Sequence, residues 1–152
     1  MDIKTILVPT DFSEYAAHAY QWALGLAAAC HATVVLFHAT PPIPTLAFSE
    51  SVYYVDLEKM EREMIAEAEN RMTEFAGKKG MSVVPVETRV GVGEAVWEIC
   101  RIAEQEAAHL IIMGSHGRTG LAHVFLGSVA ERVVRHAPCP VLVARMPKQK
   151  TL

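Results

Sequence analysis

Hydrophobic positions along this chain alternate between short bursts and longer stripes. Residues 3–9 hold a burst, Ile3, Ile6, Leu7 and Val8, closed by Pro9, Thr10 and Asp11. A run so short and so apolar predicts a buried strand followed by a turn. Ser13 stands where a helix amino cap is needed. From there to Cys30 an alanine-rich stretch places Ala16, Tyr20, Ala23, Leu24 and Ala27 on one helical stripe. Residues 33–38 predict a second strand. Pro41, Pro42 and Pro44 fall within 40–50, which excludes a helix or a central strand and predicts an irregular loop or lid. Residues 51–79 predict a long amphipathic helix, with Val52, Val55, Met60, Met64, Ala68, Met72 and Phe75 inward and Gly77 and Gly80 as its stop.

The pattern then turns β-branched. Residues 81–90, with Val83, Val84, Val86 and Val90, predict a third strand, and Gly91 and Gly93 a turn into a helix carrying Val96, Ile99 and Ile102. Residues 109–113 predict strand four. A glycine-rich stretch follows, then a helix from Ser128 to about His136, the punctuation Pro138, Cys139 and Pro140, and a last strand at 141–144. Near-continuous apolar strands alternating with helices predict an α/β fold: one Rossmann-like, open parallel sheet of five strands, covered by helices on both faces. Ligands of such sheets bind beyond the carboxyl ends of the strands where strand order reverses. The loops after two neighbouring central strands are therefore the candidates, here 9–13 and 114–128.

Composition narrows the classes. With 152 residues, 51% of them hydrophobic, the chain supports one domain with a real core, taken as 1–147 with a short polar tail at 148–152. No run of 18 apolar residues occurs, and Met1, Asp2, Ile3 and Lys4 lead straight into a strand, so no membrane span is expected and the protein is expected in the cytoplasm. Cys30, Cys100 and Cys139 form no Cys-x-x-Cys pair and are expected to be reduced. A net charge of −3 supplies no basic field, so nucleic acid is not an expected partner. The seven histidines show no ligand spacing with Cys, Asp or Glu, and no zinc site is expected. His38 reads as a strand-end residue, and Met60, Met64 and Met72 as core or dimer packing.

Chemistry concentrates in the second loop. It runs Gly114, Ser115, His116, Gly117, Arg118, Thr119, Gly120, and on to Gly127 and Ser128. Glycines after a buried strand take positive φ easily and let backbone N–H groups approach an anion with no Cβ in the way. Gly127 and Ser128 open a helix, whose unpaired N–H groups and dipole favour a phosphate. Between Gly114 and His136 the residues His116, Arg118, His123, Arg132, Arg135 and His136 face one acid, Glu131. The same residues also fit a plainer account, in which the glycines only turn the chain, Ser128 and Asp11 only cap helices, and Arg132 and Arg135 form a solvated face. Gly91-x-Gly93 has Val96 where a dinucleotide fingerprint needs its third glycine, and no Gly-Lys-[Ser/Thr] is present to make a Walker loop.

Gly114, Gly117, Gly127 and Ser128 fall on the spacing Gly-x2-Gly-x9-Gly-[Ser/Thr], and in this the chain resembles the ATP-binding universal stress proteins. Residues 6–13 resemble that family's first strand and turn, 36–39 its second strand and 137–143 its closing strand. The resemblance implies strand order 3-2-1-4-5, a homodimer joined through the C-terminal strand, and an adenine nucleotide, ATP with magnesium or manganese, between the first and fourth strand loops. It implies that Pro9, Thr10, Asp11 and Met113 line the site, with Asp11 toward the ribose or a metal and the Ala39 backbone at the adenine edge. Residues Gly114, Ser115, His116, Gly117, Arg118, Thr119, Gly120, Gly127, Ser128 and Val129 would wrap ribose and phosphates. The expected function is an ATP-holding module in stress response. Its rivals are a slow ATP hydrolase, with Arg118 or His116 supplying charge, and an interaction protein that makes little use of nucleotide.

Overall fold

In the computed structural model, residues 2–43, 56–77, 83–117 and 126–147 are described. Five strands form one sheet in the order β3-β2-β1-β4-β5, and every neighbouring pair is parallel. The strands are β1 (Thr5–Pro9), β2 (Thr33–Thr40), β3 (Val86–Val92), β4 (Leu110–Gly114) and β5 (Val141–Ala144). The helices are α1 (Glu14–Cys30), α2 (Leu57–Gly77), α3 (Ala95–Gln105) and α4 (Ser128–His136).

The apolar runs follow from burial on both faces. Ile6, Val8, Val34, Leu36 and Ile112 pack under α1 and α2 with Tyr20, Ala23, Ala27 and Met72. The alternate residues Leu7, Val35, Phe37, Ile111 and Met113 pack under α3 and α4 with Val96, Ile99, Ala130 and Val133. Side chains of a strand point alternately to its two faces, so both sets must be apolar. Helix α1 begins as its sequence predicts: the Ser13 hydroxyl accepts from the Ala16 N–H at 3.2 Å.

Several boundaries differ from expectation. Strand β3 begins at Val86 because Pro85 has no N–H to give to a ladder, although its carbonyl accepts from the Val34 N–H at 2.9 Å. It also runs through Gly91, which pairs with Ala39 inside the strand instead of turning the chain. A Cβ there would lie 2.6 Å from Glu98 Oε2 and 3.1 Å from the Phe37 ring, so a side chain would require the Glu98 carboxylate to swing away and the ring to give. The turn falls at Gly93 alone, at φ 156°. Strand β2 is correspondingly longer than expected and ends at Thr40, whose hydroxyl donates to the Gly91 carbonyl at 3.1 Å.

Among the described residues helix α2 starts at Leu57, where Asp56 accepts from the Lys59 N–H at 2.9 Å, and the expected start at Ser51 lies outside them. Only its second half packs. Ala68 and Met72 are buried and Phe75 is partly so, while Met60 is exposed. At 1.5 Å per residue this 21-residue helix is about 31 Å long, against about 23 Å for the seven-residue β3 beneath it. The excess overhangs the sheet. Val52 and Val55, the expected lid from Pro44 onward, Gly80 and the tail 148–152 lie outside the described residues. Burial pushes the Cys100 and Cys139 thiols up from their ordinary value, which keeps them protonated and unreactive.

The two sheet edges differ. On β3, Arg89 pairs with Glu87 at 2.6 Å and with Glu106 at 2.8 Å, whereas β5 is the apolar Val141, Leu142, Val143 and Ala144.

Candidate functional site

The central strands β1 and β4 end side by side, and a cleft of about 520 Å³ opens over them. The chain leaves β1 through Pro9, Thr10 and Asp11, which form one wall. Thr10 is held tightly there: its N–H donates to the Phe37 carbonyl at 2.8 Å, and its hydroxyl accepts from the Phe12 N–H at 3.0 Å. Asp11 Oδ1 accepts from the Ser13 N–H at 3.0 Å, an Asx turn that sets the chain up for the cap, which Ser13 itself provides.

The opposite wall comes from β4 and α4. Met113, Gly114, His116 and Gly117 line it, then Gly127, Ser128 and Val129. Ser115, expected with its neighbours around the ribose and phosphates, is not among the residues that line the cleft. It is buried and organises the loop: its N–H donates to the Ala144 carbonyl at 3.2 Å, its carbonyl accepts from the Gly127 N–H at 2.8 Å, and its hydroxyl meets His116 Nδ1 at 3.0 Å. Gly127 caps α4 with φ −68° and ψ 152° and offers no side-chain acceptor. The first-turn N–H groups of α4, which have no partner within the helix, are thus not claimed by a capping side chain.

The glycines serve approach, not positive φ, which none of Gly114, Gly117 and Gly127 adopts. They do so for different neighbours. A Cβ on Gly114 would meet the Tyr15 backbone at 2.9 Å, one on Gly127 the Ser115 carbonyl oxygen at 3.2 Å, and one on Gly117 only the Asp11 carboxylate at 2.9 Å. Ala39 lies on the cleft floor with Phe37, Ala95 and Ile99, and of these the sequence pattern marks only Ala39 as a site residue. His38 also lines the cleft and is more than a strand end: Nδ1 donates to the Thr10 carbonyl at 2.7 Å. Its alternation with the apolar Phe37 and Ala39 was the only trace of this in the sequence.

The positive character counted along 114–136 is smaller in three dimensions. Arg132 pairs with Glu94 at 3.1 Å and Arg135 with Glu131 at 2.8 Å. Arg118, Thr119, Gly120 and His123 lie outside the described residues. Among the described residues no three His, Cys, Asp or Glu side chains converge on a common point. Among the described residues the cleft offers an apolar floor, one carboxylate, two histidines and a glycine-capped helix start.

The sequence profile of the universal stress protein family matches residues 2–145. The chain belongs to that family. It is 35% identical over 153 aligned positions to the universal stress protein MJ0577 of Methanocaldococcus jannaschii, covering 93% of this chain and 94% of that one. A solved structure of the hypothetical protein MJ0577 superposes with a TM-score of 0.80 at 32% identity, covering 98% of this chain and all of the other. A universal stress protein from Archaeoglobus fulgidus, solved in complex with dAMP, shares the fold at 22% identity and a TM-score of 0.64, covering 94% of this chain and 98% of that one. In this universal stress protein, as in that fold generally, the cleft stands at the reversal of strand order. Among the described residues no helix is long and apolar enough to cross a membrane.

Proposed function

We propose that this universal stress protein holds ATP in the cleft between the β1 and β4 loops and acts in the cytoplasm as a homodimeric, nucleotide-dependent module in stress response. The observation that carries the reading is the meeting of a glycine-capped α4 start and the side-chain-free Gly117 with an apolar floor under Ala39 and Met113. Backbone N–H groups at a helix start suit phosphates, and an apolar slot suits a base. The Gly-x2-Gly-x9-Gly-Ser spacing of the ATP-binding subgroup supports the same assignment. Magnesium or manganese would arrive on the triphosphate, with Asp11 the carboxylate that lines the cleft. Mass identification of whatever nucleotide co-purifies and is released by heat tests the reading. No nucleotide, followed by no thermal shift with ATP and magnesium, would move the protein to the interaction class.

Storage is favoured over turnover. Hydrolysis needs a group to position water at the γ-phosphate, and the glycine loop 114–128 contains no carboxylate to do so. Phosphate release with ATP and magnesium is therefore expected well below about 1 per second, the lower end of ordinary enzymes. A faster rate would favour the hydrolase.

Assembly through β5 is supported by its backbone. The Pro140 and Ala144 carbonyls accept from Ile111 and Ser115 of β4 at 3.0 and 3.2 Å, so alternation turns the Val143 N–H toward the open edge. Beside that edge runs an apolar groove of about 470 Å³ between Trp22, Leu26 and Leu142, with Trp22 56% exposed. Light scattering at micromolar concentration is expected to give a dimer mass, shifted toward monomer by Val143→Pro. A monomer in the parent protein would sink this part of the proposal.

A further inference from the structure

We infer that His38 is a positioning residue for the nucleotide: by holding the Thr10 carbonyl it fixes the peptide that presents the Asp11 carboxylate to the cleft. The inference rests on the nucleotide reading above and adds a residue to it.

The connection spans 28 positions of sequence, from the end of β2 to the loop after β1, at 2.7 Å. A carbonyl can only accept, so the bond sets the histidine tautomer with its proton on Nδ1. The Thr10 carbonyl belongs to the peptide that leads into Asp11, and holding it constrains the direction in which Asp11 leaves β1. Thr10 is also tied through its N–H to Phe37 and through its hydroxyl to the Phe12 N–H. Such anchoring suits the next residue, since Phe12 is a non-glycine at φ 66° and a backbone in that region persists only where its surroundings over-determine it. Its ring is clamped by the His38 ring at 4.4 Å, by the Arg71 guanidinium at 4.1 Å and by Phe75 at 5.8 Å.

The beneficiary is Asp11. Its carboxylate stands 2.9 Å from where a Gly117 Cβ would be, on the cleft side of the loop. A carboxylate repels phosphate oxygens but accepts hydrogen bonds from hydroxyl groups. In a ribonucleotide those are the ribose 2′ and 3′ hydroxyls. His38 therefore acts on the sugar through Asp11, without touching it.

The test is calorimetric affinity for ATP and for 2′,3′-dideoxy-ATP, with a thermal melt of each protein. His38→Phe keeps a ring against Phe12 and removes the donor, and His38→Asn returns an N–H near the Nδ1 position. His38→Phe is expected to weaken ATP by roughly 10-fold, the scale of one hydrogen bond, and dideoxy-ATP by less than about twofold, while His38→Asn recovers most of the loss. Should His38→Phe not fold, His38→Leu against His38→Asn asks the same question. Equal ATP affinity in all variants overturns the inference alone, as does an equal loss for both nucleotides, which would make His38 a packing residue only. A parent protein that binds neither nucleotide overturns the nucleotide reading and this inference with it.

Discussion

Gly117→Val is expected to abolish measurable nucleotide binding while the nucleotide-free protein melts close to the parent. Among the described residues the new Cβ would have one near neighbour, the Asp11 carboxylate at 2.9 Å, with no backbone atom within 4 Å. Nothing in the sheet has to move. Gly117 does not adopt a positive φ, so the substitution brings no left-handed strain, and its effect on stability should stay near the 0.5 kcal/mol typical of changes away from the core. Two methyl groups would, however, stand in the cleft between Asp11 and the α4 start, where ribose and phosphates are proposed to lie. A loss of more than about 100-fold in affinity follows, above 2.7 kcal/mol at 1.4 kcal/mol per decade. Ser128→Ala should be milder, about 10- to 150-fold, because it removes one hydroxyl donor to a charged acceptor and leaves the helix N–H groups. Gly127→Val is a poorer probe: its Cβ meets the Ser115 carbonyl at 3.2 Å and His116 Cα at 3.3 Å, so loop folding and binding fail together. Calorimetry beside a thermal melt decides the matter, and undiminished ATP affinity in Gly117→Val would refute the proposed phosphate cradle.

Gly114→Val should do the reverse and act first on the stability of the fold. A Cβ there would lie 2.9 Å from both the carbonyl carbon and oxygen of Tyr15 and 3.0 Å from its Cβ. Those are backbone atoms in the first turn of α1, so relief requires moving the helix off β4. Overpacking of this kind costs typically 1–3 kcal/mol, and a β-branched residue against rigid backbone belongs at the top of that range. For a chain of 152 residues, at about 2–4 °C per kcal/mol, the midpoint of thermal unfolding should fall by roughly 6–12 °C. Gly114→Ala should give an intermediate drop. A melt indistinguishable from the parent would mean that α1 does not seat against Gly114 as described.

The contrast between these glycines marks what could and could not be read from the sequence. Periodicity and caps identified the elements well: Ser13 begins α1, and α4 and β5 fall where Ser128, Pro140 and the apolar stripe place them. The sheet and its site at the β1 and β4 ends follow from the same pattern. Glycine, though, has no side chain to reveal what presses on it. Gly91, Gly114 and Gly117 look alike in sequence, yet one makes room for Glu98 and Phe37, one for a helix backbone and one for the cleft. His38 was read as a strand end because its partner, the Thr10 carbonyl, is a backbone atom and leaves no mark on the sequence. Arg132 seemed to add to an anion field because its partner Glu94 lies 38 positions away, whereas the partner of Arg135, Glu131, stands one helical turn before it.

The unequal sheet edges bear on how far assembly can go. Strand-to-strand addition that joins unlike edges repeats without end and gives a filament, whereas addition through one edge related by a two-fold axis uses that edge up. Here β3 ends the sheet in a knot of charge, Arg89 between Glu87 and Glu106, and charge on an edge strand discourages further pairing. Only β5 is left hospitable. In the assembly proposed above, growth begun at β5 would therefore stop after one step, because the charged β3 edge gives a further copy nothing to pair with.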